Sequence, residues 1–137
     1  MKEETLRDIG EFECIHRIAH DLIYRPELVK LGTGDDGAVF MTPCGYDEVI
    51  STDTMVEGIH FTKRTMSAAD TGYHLCAVNF SDMAAMGAEP VSFVISAALP
   101  GDLSITWIES CYDGIRECCR EHSVNLLGGD ITGSKQG

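Results

Sequence analysis

A mixed α/β domain, with a β-sheet packed against helices, is the fold class this sequence predicts. Three observations support it. Apolar segments follow the order β, β, α, β, α, β after an opening helix. Two long apolar-rich helical runs begin behind hydroxyl caps, Ser67 and Ser104. The segments between them are short, rich in Val, Ile and Phe, and bounded by Gly or Pro. At 137 residues the chain is long enough for one domain with a sizeable core.

Taken in order, Glu11 to Tyr24 reads as an amphipathic helix with Phe12, Ile15, Ile18, Ala19, Leu22 and Ile23 on one stripe. His16 and His20 are four apart, but no third zinc ligand is evident, and a partly solvated helix face is the favoured reading. Leu31 to Gly37 is a glycine-rich stretch ending in Asp35-Asp36-Gly37. Ala38–Met41 and Glu48–Asp53 read as two strands joined by a turn at Pro43-Cys44-Gly45. On the second, the period of two places Ser51 and Asp53 on one side. Met55 to Met66 lacks periodicity and carries Glu57, Gly58 and His60, so it reads as a polar loop.

A helix then starts after Ser67, with Asp70 completing a capping-box pattern, and stops at Gly87 before Glu89-Pro90. Leu75, Cys76, Val78, Phe80, Met83 and Met86 surround it with apolar surface, which predicts burial. Asn79 and Asp82 share one side of this helix, where Asp82 reads either as a helix-edge carboxylate in water or as a buried one that needs a partner or a metal. No Lys or Arg occurs from Thr65 to Ile115 to supply one. Pro90–Leu99 is a further strand, apolar on both faces. Ser104 caps a helix to about His122, with Trp107, Ile108, Cys111, Ile115 and Cys118 facing in. Val124–Leu127 is a last strand running into a turn at Gly128-Gly129-Asp130-Ile131-Thr132-Gly133.

The net charge of −12 argues against nucleic acid and anionic membranes as partners and is compatible with collecting divalent cations. Six cysteines without a C-x-x-C pair fit reduced thiols in a cytoplasmic protein. Met1 to Asp8 is charged and no apolar run follows, so neither a secretory leader nor a membrane span is expected.

Asp35-Asp36, Asp53, Asp82 and Asp130 place carboxylates at strand ends or in the helix, with few cations nearby. Each alone is an ordinary turn or cap residue. Together they suit a hard cation such as Mg²⁺, which accepts carboxylates, waters and substrate phosphates. Gly128 to Lys135 is spaced like a phosphate-binding loop, yet it ends Ser-Lys where that motif needs Lys before Ser or Thr. A nucleotide would therefore be held through metal ions and glycine amides. No nucleophile motif is present, which leaves metal-assisted phosphoryl transfer.

Gly34-Asp35-Asp36-Gly37-Ala38, Ser51 through Phe61, Ala77 through Gly87 and Gly128-Gly129-Asp130 resemble, in order and spacing, thiamine-monophosphate kinase. That family belongs to the aminoimidazole ribonucleotide synthetase superfamily, beside selenophosphate synthetase and a hydrogenase maturation protein. The resemblance implies ATP-dependent phosphorylation of thiamine monophosphate to thiamine diphosphate by direct transfer, with several Mg²⁺ ions between the substrates. It implies metal ligands at Asp36, Asp53, Asp82 and Asp130, with Ser51 and Thr52 adding oxygens. The four aspartates are then also the catalytic set, Gly129 and Asp130 contact ATP, and His60 contacts the substrate. It further implies an N-terminal ATP/Mg-binding and dimerisation domain over residues 1–137, a homodimer, and a C-terminal domain outside this chain. The fragment alone is expected to be inactive.

Two departures bear on phosphate contacts: His74 stands where the family usually has Lys, and Gly133 where many members have Arg. A superfamily relative acting on another acceptor is a second reading, with Cys14 the only candidate for a selenophosphate-synthetase-type thiol. A non-catalytic metal-binding dimerisation fragment is a third.

Overall fold

The computed structural model describes residues 2–135. Its elements are helix α1 (Leu6–Ile18), strands β1 (Val29–Leu31) and β2 (Val39–Phe40), helix α2 (Ala68–Ala85), strand β3 (Ser92–Pro100), helix α3 (Ile105–His122) and strand β4 (Asn125–Ser134). The fold is mixed α/β, with antiparallel and parallel pairing in two separate two-stranded sheets. β1 pairs antiparallel with β2, and β3 pairs parallel with β4 across the α3 crossover.

The two capped helices form where the sequence places them. Ser67 Oγ accepts from the Asp70 N–H at 3.1 Å, and Ser104 Oγ accepts from the Trp107 N–H at 3.2 Å. The opening helix differs from its expected span. It begins at Leu6, where the Asp8 carboxylate accepts from the Thr5 N–H and hydroxyl and is thereby held below the usual carboxylate range. It breaks at Gly10, whose φ of 78° lies in the region open mainly to glycine. It ends at Ile18 rather than Tyr24 because distant side chains take over the backbone bonds. The Arg116 guanidinium donates to the Ile18 and His20 carbonyls at 2.6 and 2.8 Å. Asn125 Oδ1 accepts from the Tyr24 and Arg25 N–H groups at 2.8 and 2.7 Å, and its Nδ2 donates to the Arg25 carbonyl. Phe12, expected on the buried stripe, is 87% exposed, while Cys14 and Ile18 turn inward.

Glu48–Asp53 is not a strand. Among the described residues it pairs with neither two-stranded sheet, and Ile50 stands 95% exposed. The turn at Cys44-Gly45 does form, and the Thr42 hydroxyl donates to the Glu48 carboxylate across it. β4, by contrast, runs beyond Leu127 to Ser134, so the expected turn at Gly128-Gly129-Asp130 is strand. It fits there because residue 129 is glycine: a Cβ would collide with the Ile95 carbonyl.

The helices cover one face of β3–β4. Phe93, Ile95, Ala97 and Leu99 pack against two core clusters, one around Cys76, Phe80, Ile115 and Leu126, the other around Leu6, Ile18, Ile108 and Ile131. Burying each large aliphatic side chain contributes about 1.5–3 kcal/mol. Val94, Ser96 and Ala98 face the other way and are exposed. No described helix is long and apolar enough to cross a membrane.

Asn125 is fully buried and satisfies three backbone groups of 24–25. Asn125→Leu leaves those groups without partners and should cost roughly 3 kcal/mol in urea denaturation. A loss below about 1 kcal/mol would contradict this role.

Candidate active site

Asp36, Ser51, Thr52, Asp53, His60, Asp82, Gly129 and Asp130 are all solvent-exposed. Asp36 lies in the bend at residues 33–37, where its N–H donates to the Asp35 carboxylate at 2.8 Å. Ser51 to Asp53 sit on the unpaired segment between β2 and α2, and Asp53 Oδ1 accepts from the Thr54 N–H. His60 closes a short turn in which Glu57 bridges Phe61. Its Nδ1 accepts from the Val56 N–H at 2.9 Å, so in the neutral ring Nε2 carries the proton.

Helix α2 is less buried than its apolar surface predicts, and of the two readings of Asp82 the helix-edge one is observed. α2 buries only Thr71, Gly72, Cys76 and Phe80, because α3 and the Phe93–Ile95 end of β3 cover the side that carries them, and Asp82 is on the side left in solvent. Asp82 is therefore in water, and burial does not force a partner on it. Asn79 is half-buried and its amide donates to its own helix, at the Leu75 carbonyl, at 2.8 Å. Asp130 sits in β4 opposite Ser96, and Thr132 opposite Ala98, on the uncovered face of the sheet. These small neighbours of Asp130 escaped notice in the sequence, although the alternation Val94, Ser96, Ala98 against Phe93, Ile95, Ala97 would have separated the faces.

No group of three or more His, Cys, Asp or Glu among the described residues is arranged to hold a metal ion. The four aspartates are thus not brought together within the single chain. Their chemistry nevertheless suits a hard cation: all are carboxylates open to solvent, and none is in an ion pair among the described residues. Nucleophilic chemistry finds no support in the packed thiols, and the exposed Cys44 sits on the tight turn with Gly45. Cys14 is buried and its thiol is raised by that burial. Burial pushes Cys111 up to about 12 and Cys118 up to about 11, and Cys76, hydrogen-bonded to Cys119, is raised as well.

The exposed carboxylates stand on four different elements: a bend, an unpaired segment, helix α2 and strand β4 of a half-covered parallel pair. The chain matches the family described as AIR synthase related protein, N-terminal domain, over residues 34–137, and it belongs to that family. Within it, the chain is similar to thiamine-monophosphate kinases. It is 38% identical to that of Bacillus subtilis over 122 residues, covering 89% of this chain and 37% of the relative. It is 40% identical to that of Escherichia coli K12 over 124 residues, covering 90% and 37%. The crystal structure of the Stenotrophomonas maltophilia K279a thiamine-monophosphate kinase superposes with a TM-score of 0.76 at 34% identity, over 97% of this chain and 40% of that one. AaThiL complexed with AMPPCP and TMP superposes at 0.54 with 35% identity, over 57% and 25%. The chain spans about a third of the length of the curated relatives it matches.

Because Asp82 is exposed and unpaired, Asp82→Asn should leave metal-free stability within about 0.5 kcal/mol of the parent, or raise it slightly. Thermal melting in a chelator measures this. A loss above about 1 kcal/mol would give Asp82 a structural role instead.

Proposed function

We propose that this chain is the N-terminal ATP- and Mg²⁺-binding domain, residues 1–137, of a kinase that phosphorylates thiamine monophosphate to thiamine diphosphate with ATP. The similarity to thiamine-monophosphate kinases, spread over nine tenths of the chain and extending to the fold, carries this reading. The AaThiL complex with AMPPCP and TMP supports an ATP-type nucleotide and thiamine monophosphate as the two substrates. In this reading Asp36, Asp53, Asp82 and Asp130 hold several Mg²⁺ ions, and Ser51 and Thr52 add oxygens. Gly129 and Asp130 contact the nucleotide, and His60 contacts the acceptor.

When bound, Mg²⁺ neutralises the phosphate charge that this chain of net charge −12 would otherwise repel. The chain's own residues position the reactants. Gly129 lets β4 lie close against the Ile95 main chain and so fixes the neighbouring Asp130, and the His60 ring is oriented by the Val56 N–H. The carboxylates come into range of one another only when another surface gathers the segments that carry them. A second copy of the chain laid on the open side of β3–β4 supplies that surface and covers Val94, which is 65% exposed. We therefore read the protein as a cytoplasmic homodimer with a C-terminal domain completing the site. Nucleic acid and membranes are not among its partners, given the charge.

The buried, raised Cys14 thiol disfavours the selenophosphate-synthetase-like alternative.

The test is a phosphoryl-transfer assay of the full-length protein with Mg·ATP and a panel of acceptors. Thiamine monophosphate should give thiamine diphosphate. Asp82→Asn should lower the rate by more than tenfold, a loss of at least ~1.4 kcal/mol of transition-state stabilisation. Residues 1–137 alone should turn over little or nothing. Product from another acceptor but none from thiamine monophosphate would end the kinase reading and leave the family assignment intact.

A further inference from the structure

A cleft of about 220 Å³ opens at the carboxyl ends of β3 and β4, lined by Leu6, Arg7, Leu99, Ile131, Thr132 and Gly133 among others. In open parallel sheets, ligands bind in the crevice outside the carboxyl ends of the strands. Thr132 shares the Asp130 face of β4, whereas Ile131 is buried on the helix side, so the cleft wraps the strand end and meets the open face. Asp130 lies three residues before Gly133, about 10 Å along the strand.

Arg7 is held in place at this cleft. Its N–H donates to the Gly101 carbonyl at 2.7 Å, and the neighbouring Leu6 N–H donates to the Leu103 carbonyl at 2.9 Å. Its guanidinium lies over Gly101, where an added Cβ would stand 3.2 Å from Nη2 and 3.3 Å from Nε. Among the described residues Arg7 makes no ion pair, although its charge reaches Asp8. The Asp8 carboxylate is already engaged by Thr5. Glu11 is the one carboxylate lining the cleft, so an anion there depends on the Arg7 cation for net attraction. A guanidinium presents a planar fork of donors that matches phosphate oxygens.

We propose that Arg7 contacts a phosphate group of a bound substrate, closing the strand-end cleft over the ligand that Asp130 approaches through metal. This rests on the kinase reading for the identity of the substrates. The phosphate belongs either to the nucleotide or to thiamine monophosphate, and two titrations separate these sources. Full-length parent, Arg7→Gln and Arg7→Lys proteins are titrated with Mg·AMPPCP and, separately, with thiamine monophosphate, and all three are melted.

Arg7→Gln should weaken one of the two ligands about tenfold, Arg7→Lys should weaken it less, and the melting temperature without ligand should hold because the side chain is exposed. Unchanged affinity for both ligands, with an intact melt, would overturn the proposal. A lowered melt with equal weakening of both ligands would also overturn it, marking Arg7 as structural. If the parent makes no thiamine diphosphate yet binds Mg·AMPPCP in an Arg7-dependent way, the kinase reading fails and the assignment of Arg7 stands.

Discussion

The backbone contact between α2 and α3 is the constraint on which the arrangement depends. A Cβ at Gly72 would collide with the Cys111 carbonyl, and one at Gly114 would collide with the Ala69 carbonyl. Each helix therefore presents a glycine to the other's main chain, and the two approach more closely than side chains permit. α3 in turn is the crossover that sets β3 beside β4, so one contact ties α2 to the parallel pair. Asn79 and Asp82 ride on α2, and Gly129 and Asp130 ride on β4. Their relative placement follows from glycine at two positions. An alanine at either would push the elements apart or force off-rotamer shifts, an overpacking cost of about 1–3 kcal/mol.

Around this contact the core is unusually rich in sulfur. Cys76, Cys118 and Cys119 are buried with Phe80, which meets Phe93 edge-on at 5.5 Å between ring centroids. Thiols pack there as small hydrophobes; the bond to Cys119 and burial raise Cys76, and burial raises Cys118. The polar exceptions are placed where the chain crosses itself. Asn125 and Arg116 fasten residues 18–25 to β4 and α3, and the Tyr73 phenol, donating to Glu121 at 2.6 Å, is pushed up to about 12 by that bond. Everything acidic that the proposed chemistry needs lies outside this core, on surfaces that the chain leaves uncovered.

The legible part of the fold was the part decided locally. Ser67 and Ser104 announced their helices through bonds only three residues long, and the apolar run of β3 was bounded by Pro90 and Gly101. What the sequence hid was decided at a distance. α1 stops at Ile18 because Arg116 and Asn125, about a hundred residues later, claim the next carbonyls and amides. Glu48–Asp53 has the alternation of a strand but, among the described residues, is paired with no other strand. The glycines after Leu127 suggested a turn, yet they serve close strand approach instead. The same division holds at the site. The residue types and spacings of the four aspartates were readable, but their exposure followed from which faces the helices happen to cover. Arg7 carried no sequence signal, since nothing local ties it to β4.

We propose that the segment from Tyr46 to Phe61 and the open face of β3–β4 form one site when ligand and an apposed surface gather them. Hydrogen–deuterium exchange of the full-length protein, with and without Mg·AMPPCP and thiamine monophosphate, tests it most directly. Amides across residues 46–61 and 128–133 should slow by about tenfold or more when both ligands are present with Mg²⁺, while α3, already packed, should change little. Equal exchange in residues 46–61 with and without the ligands would contradict it.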